Sequence, residues 1–222
     1  SIMDHTPGQR QFADVSQYER YMRGKYGLSQ QEFDAHISER KQLRERMFES
    51  HEAAILKAAH AFGAVLASHD DTTQDHVAHS ASHGVGLAEF PTTIGAAHTC
   101  KAHDIAIMMG APNLVRGGSH SGNVAAHTLA ENDLLDIVSS DYVPSALLYS
   151  ALKLSQIWGD MARAIRTVTS APASAVNLDD RGTIAPGLRA DLVRFKVLQH
   201  NAAPTPHAVH LTFHSVGVAQ AP

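Results

Sequence analysis

Between residues 64 and 140, short apolar runs alternate with longer amphipathic segments. Residues 64–67, 85–90, 105–109 and 134–140 are apolar and bounded by turn residues, which predicts buried strands. The segments between them start like helices. Thr72 and Thr73 offer N-caps for a helix reaching about His83, and Thr92 or Thr93 caps the next one after the stop at Pro91. A further helix is expected over about 123–132. Upstream, residues 1–5 read as a strand ending in Asp4-His5, broken at Pro7-Gly8. Residues 9–28 read as a polar, aromatic connection whose basic groups mostly face solvent. Ser29, with Glu32 three positions on, has the spacing of a capping box, and a helix is expected through His60. Its charge alternation over 39–46 marks a solvated face. Downstream, 144–166 is helical and broken near Gly159. From 177 the texture turns to β, with turn residues over 180–193 and a last strand pair over 207–218.

Five strand–loop–helix units in series predict an α/β fold with a parallel sheet. Polar residues recur at the C-terminal ends of the strands: His5, His69-Asp70-Asp71, Glu89, Asn113 and Asp141. A parallel barrel gathers these positions on one face, and a doubly wound sheet also gathers residues at strand ends. No dinucleotide glycine fingerprint follows the first strand.

The glycine-rich stretch 110–123 changes the picture most. It follows the strand at 105–109 and brings together one guanidinium (Arg116), four glycines, two hydroxyls, one imidazole and two carboxamides. Such a loop suits an oxyanion: glycine lets the backbone approach closely, and arginine presents a planar, permanent charge. The same composition also suits a plain turn between strand and helix. Asn113, Arg116, Ser119, His120 and Asn123 are the candidate substrate-binding residues. His5, His69 and Asp141 are candidate metal ligands on one predicted face. Imidazole and carboxylate suit zinc, with manganese or iron as less selective alternatives. Asp141 is also the candidate catalytic base, while Asp70 and Asp71 read either as partners orienting His69 or as helix caps. Glu89 is a further candidate facing the site.

With 222 residues, 44% of them hydrophobic and 18% charged, the chain can build one large core with a small appendage. A net charge of −4 argues against broad nucleic-acid binding. No apolar run approaches the roughly 18 residues of a membrane span. The single cysteine, Cys100, excludes an internal disulfide and reads as a packing residue in a reducing, cytoplasmic setting. Most of the sixteen histidines, among them His36, His51, His79, His98 and His127, read as helix-surface positions.

Residues 3–12, 67–73, 88–93, 109–123 and 140–144 together resemble the PhnM-type members of the amidohydrolase superfamily. The run 181–193 is similar to the tail of many amidohydrolases. The resemblance implies a metal-dependent (β/α)8 TIM barrel, present here as about five strand–helix units over 1–176. It also implies a small β-sandwich portion over 177–222. His5 and His69 then match mid-barrel metal ligands, and Asp141 matches the last-strand aspartate that ligates metal and takes the proton of the attacking water. The implied reaction is hydrolysis of alpha-D-ribose 1-methylphosphonate 5-triphosphate to the 5-phosphate and diphosphate, in the carbon–phosphorus lyase route. The partner is thus a small polyphosphorylated ribose, and barrels of this kind often pair as homodimers. The family's first-strand His-x-His pair is absent from these residues, so three strands are expected upstream of Ser1. The alternatives are a cyclic amide or C–N hydrolase of the same superfamily, and an inactive fragment.

Overall fold

The structure, a computed structural model, describes residues 1–222 apart from 13, 120, 121, 196, 199–209, 212–213 and 217–222. Its elements in chain order begin with a single 3-10 turn (Arg10–Phe12) and two helices, α1 (Val15–Tyr26) and α2 (Gln30–Phe62). There follow β1 (Ala67–His69), α3 (Gln74–Ser82), β2 (Leu87–Glu89), α4 (Ile94–Ala102) and β3 (Ala106–Gly110). Then come α5 (Ala111–Arg116), α6 (Ala126–Glu131), β4 (Ile137–Ser139), α7 (Ala146–Trp158), α8 (Met161–Arg166) and α9 (Ser170–Ala175). Four short strands, β5 (Leu192–Arg194), β6 (Val197–Leu198), β7 (His210–Leu211) and β8 (His214–Val216), complete the described elements.

Strands β1 to β4 form one parallel sheet in sequential order. Each new strand lies beside its predecessor, in the same direction, after a helical crossover. That is the walk of a barrel wall; a doubly wound sheet reverses its order partway. A parallel bridge between Ile2 and Ser68 marks a fifth position on the β1 edge. The expected strand at 1–5 is reduced to this bridge. The β texture after 177 becomes two antiparallel pairs, β5 with β8 and β6 with β7. Parts of the expected strand pair over 207–218 lie outside the described residues.

The sheet has two faces with different fillings. Ala88, Ile107, Met109 and Val138 point to the helices and pack with Val77, Leu129 and Leu154 in the main core. Burying each of the larger aliphatic chains contributes about 1.5–3 kcal/mol. Ala67, Leu87 and Ile137 point the other way, against Ala106 and Met108 and under Ala171 and Ala175 of α9. Because side chains alternate along a strand, His69 and Glu89 belong to this second, inner face.

The sequence signals set the helix ends. Ser29 and Glu32 close a capping box at the start of α2, and Thr73 and Thr93 accept the amides that begin α3 and α4. Gly159 stops α7 in the left-handed conformation. Cys100 is fully buried in α4, as a packing residue is. Two expectations are corrected. The connection at 9–28 contains a 12-residue helix, α1, capped by Asp14 and Gly27; its sparse apolar positions hid the period. The stretch 110–123 is not a loop throughout. Its first part is α5, because Pro112 in the first turn is preorganised for a helix and Gly117 ends it at φ 82°.

Candidate metal and phosphate site

A cavity of about 360 Å³ opens at the C-terminal ends of the strands. It is lined by residues from every part of the sheet, including His5, His69, Asp70, Asn113, Arg116 and Asp141. Parallel strands deliver their last residues to one rim, so a site of this kind is built from residues far apart in sequence.

The centre of the cavity is a three-residue cluster. One donor atom from each of His5, His69 and Asp70 lies within 4.8 Å of the others. His5 Nε2 is 3.5 Å and His69 Nε2 3.4 Å from the same Asp70 Oδ2. Asp70 follows β1 with φ 58°, a left-handed turn that swings its carboxylate back over the strand end. The orientation of His69 comes from the sheet register. His69 pairs with Glu89 across β1 and β2, and its Nδ1 lies 3.0 Å from Glu89 Oε2. That hydrogen bond outweighs burial and holds the Glu89 carboxyl below its usual range, so the carboxylate accepts and Nδ1 donates. His69 Nε2 faces Asp70 on the other side of the ring. The Asp70 carboxylate also raises the His5 imidazole above its ordinary value, against the opposing effect of burial.

This donor set fits a divalent cation. Asp70 Oδ2 is buried and has no hydrogen-bond partner. An unsatisfied buried carboxylate oxygen is costly. A cation among the three donors would satisfy all of them at once. Asp70, read from sequence as a partner or a cap, is thus a direct member of the cluster, while Thr73 caps α3.

Behind the cluster stands a buried ion pair that sequence reasoning missed. Arg10 is buried, although a solvent-facing role was expected of its segment. Its guanidinium donates to the His69 carbonyl at 3.0 Å and to Asp71. Asp71, 1% exposed, also accepts from Ser68 Oγ at 2.5 Å and weakly from Ser80. The end of β1, and with it His69, is held from below by charge-assisted hydrogen bonds. Nothing local in the sequence marks Arg10, since its partner lies 61 residues away.

Asp141 reaches the same cavity from the turn after β4. It is solvent-exposed and sits in a left-handed turn, φ 50°. Gly110 makes room for it: a Cβ at residue 110 would lie 2.8 Å from Asp141 Oδ2. Arg116, at the end of α5, donates to Tyr142 Oη at 3.1 Å, so the guanidinium is held at the rim next to Asp141. Asn113 accepts from the Ala126 amide and tethers the start of α6. Ser119 and Asn123 line the cavity as well; His120 lies outside the described residues.

Over 196 residues, 87% of its length, the chain is 47% identical to the alpha-D-ribose 1-methylphosphonate 5-triphosphate diphosphatase of Escherichia coli (strain K12). It spans about half of the relative, 52% of its length. No family model matches the chain. Two solved structures share 21% identity over 63% of this chain and 40% of their own. One is an uncharacterized protein (TM-score 0.48), the other a prolidase complexed with N-methylphosphonate-L-proline (TM-score 0.47). Likeness at that level bears on neither the fold nor the site. Among the described residues, no helix is long and apolar enough to cross a membrane.

Proposed function

We propose that the protein is a metal-dependent phosphoanhydride hydrolase. It converts alpha-D-ribose 1-methylphosphonate 5-triphosphate to the 5-phosphate and diphosphate, in the carbon–phosphorus lyase route of phosphonate use. The observation that supports the reading is the joint one: a relative of that activity, and a cavity that pairs a His-His-Asp cluster, seated on a buried Asp70, with an arginine at its rim.

His5, His69 and Asp141 would hold a divalent metal, zinc before manganese or iron, with Asp70 between the two imidazoles as a further carboxylate. Such an ion supplies positive charge against a phosphoryl oxygen and acidity to a water. Asp141, exposed to the cavity, takes the proton of that water on its carboxylate. The water oxygen bonds to phosphorus as the α–β anhydride bond breaks, and diphosphate leaves with the bridging electron pair. Arg116 forks towards the phosphate oxygens and offsets their charge. Asn113, Ser119 and Asn123 supply neutral contacts along the same rim, and His120 is a further substrate-binding residue in this reading. Arg10 and Asp71 touch no substrate; they fix His69 from behind. The partner in this reading is a small polyanion rather than nucleic acid or membrane. A cytoplasmic location, a homodimer, and a β portion over 177–222 go with it.

The test is product analysis with the full-length protein carrying this sequence, loaded with zinc. Diphosphate and the 5-phosphate should appear in equal amounts, and His69→Ala and Asp141→Asn should each abolish the release. Release of orthophosphate alone would overturn the reading. So would turnover of a cyclic amide with none of the triphosphate.

A further inference from the structure

A second group of ligating side chains stands where α2 crosses α3. We propose that Glu52, His79 and His83 form a second divalent-metal site of zinc type, stapling α2 to the sheet domain through α3. The site shares no residue with the cavity cluster.

Three observations carry it. His79 lies in the last turn of α3 and His83 caps its end, four residues on, so both rings face the same side. Their rings meet edge to face, 4.7 Å between centroids. Glu52 comes from the other helix, and one donor atom from each of the three residues lies within 4.8 Å of the others. The Glu52 carboxylate is only 12% exposed, with His79 Nε2 at 2.7 Å from Oε1 and His83 Nε2 at 3.9 Å from Oε2. Bonds of about 2.0–2.1 Å at tetrahedral angles place donors about 3.3 Å apart. The two separations from Glu52 straddle that value, and the two imidazole donors lie within 4.8 Å of each other.

A plain ion pair explains less. It holds His79 at 2.7 Å in a hydrogen bond, but gives His83 only a loose pairing at 3.9 Å, beyond hydrogen-bond distance. Two imidazoles and one carboxylate are a borderline donor set that selects zinc and its first-row neighbours over calcium or magnesium. Three protein ligands leave a fourth position to water.

The staple would matter because α2 is held so sparsely. Of its 33 residues, Phe33 is the buried one among the described set. Among its other anchors to neighbouring parts are the Arg44–Asp4 ion pair at 2.6 Å, the Tyr18–His36 hydrogen bond at 2.8 Å and the Arg23–Gln30 hydrogen bond at 3.0 Å. The helix nonetheless forms a wall of a second hollow, about 650 Å³, that includes His5. A metal bond near its middle fixes that wall.

The full-length protein is dialysed against micromolar zinc, and bound metal is counted. His83→Ala and Glu52→Gln should each hold one zinc fewer than the wild type. His69→Ala, which breaks the cavity cluster, should leave the staple's equivalent in place. Zinc should also slow amide hydrogen exchange in α2 around Glu52 in the wild type and not in His83→Ala. Because His83→Ala keeps the 2.7 Å His79–Glu52 contact, an ordinary ion pair predicts no difference. Wild-type zinc content in both staple variants, or equal zinc effects on exchange with and without His83, would overturn the proposal. Both readouts are independent of whether the protein hydrolyses a triphosphate.

Discussion

Gly110→Ala tests the position of Asp141 without touching its chemistry. Residue 110 has φ −76° and ψ 135°, which alanine adopts without strain. On the backbone alone the change would stabilise by about 0.4–1 kcal/mol through the unfolded chain. The new methyl, however, would sit 2.8 Å from Asp141 Oδ2 and 3.3 Å from its Cβ, where ordinary contact begins at 3.4 Å. The carboxylate must therefore retreat by about 0.6 Å. Asp141 is exposed, so its side chain can turn away cheaply, and a change in stability below about 1 kcal/mol is expected. Catalysis is less forgiving: sites tolerate about 0.5 Å, and a displacement near 1 Å can cost about 100-fold. Diphosphate release should fall by roughly 10- to 100-fold in kcat, with Tm within about 3 °C of the wild type. The assay is steady-state turnover of the triphosphate beside thermal denaturation of the same preparations. Unchanged kcat would mean that the placement of Asp141 against Gly110 is irrelevant to the reaction, and Asp141 would leave the mechanism.

Other perturbations probe the rest of the site. Arg116→Ala should raise the KM for triphosphate by roughly 10- to 100-fold, the loss of about 1.5–3 kcal/mol of charged hydrogen bonding. Binding of the 5-phosphate, measured by calorimetry, should change far less, and equal losses for both would end the polyphosphate role of Arg116. Arg10→Ala leaves the buried Asp71 carboxylate unpaired and should cost about 3–5 kcal/mol, a drop in Tm near 10 °C. The paired change Arg10→Met with Asp71→Leu should recover most of that; a single variant as stable as the wild type would deny the ion pair its structural role. Asp4 is a pH sensor of stability. Burial would raise its carboxyl, but hydrogen bonds from Arg44 and Thr6 outweigh this and hold it below 3.8. A carboxyl lowered by folding stabilises above its unfolded pKa and loses that contribution as pH falls through the folded one. The stability difference between wild type and Asp4→Asn should therefore be constant near neutrality and shrink below about pH 4; a gap that persists to pH 2 in urea titrations would contradict this.

Local signals carried far in this chain. Ser29 and Glu32, Thr73, Thr93 and Gly159 mark helix ends through contacts within a few residues, so the sequence displays them openly. The strand runs are legible for the same reason: their partners across the sheet are interchangeable apolar groups. The α1 and α5 helices were harder. α1 carries few apolar residues, and glycines near α5 concealed a helix that Pro112 starts and Gly117 ends.

The site divides along the same line. Placing His5, His69 and Asp141 near one rim needed only that strand ends share a face. That Asp70, rather than Asp141, stands between the two imidazoles depends on a left-handed turn whose cost the surrounding fold bears. The Glu89 contact depends on register, since one residue of slip would send its side chain to the opposite face. Arg10 beneath His69, and Glu52 beside His79, depend on where distant helices come to rest. The sequence by itself determined the alternation of strands and helices, their caps, the residue types at the rim and the likeness to the diphosphatase. The tertiary structure alone decided which of those residues touch. Periodicity and capping are properties of neighbours along the chain, whereas register, crossing and burial exist only once separate segments pack together.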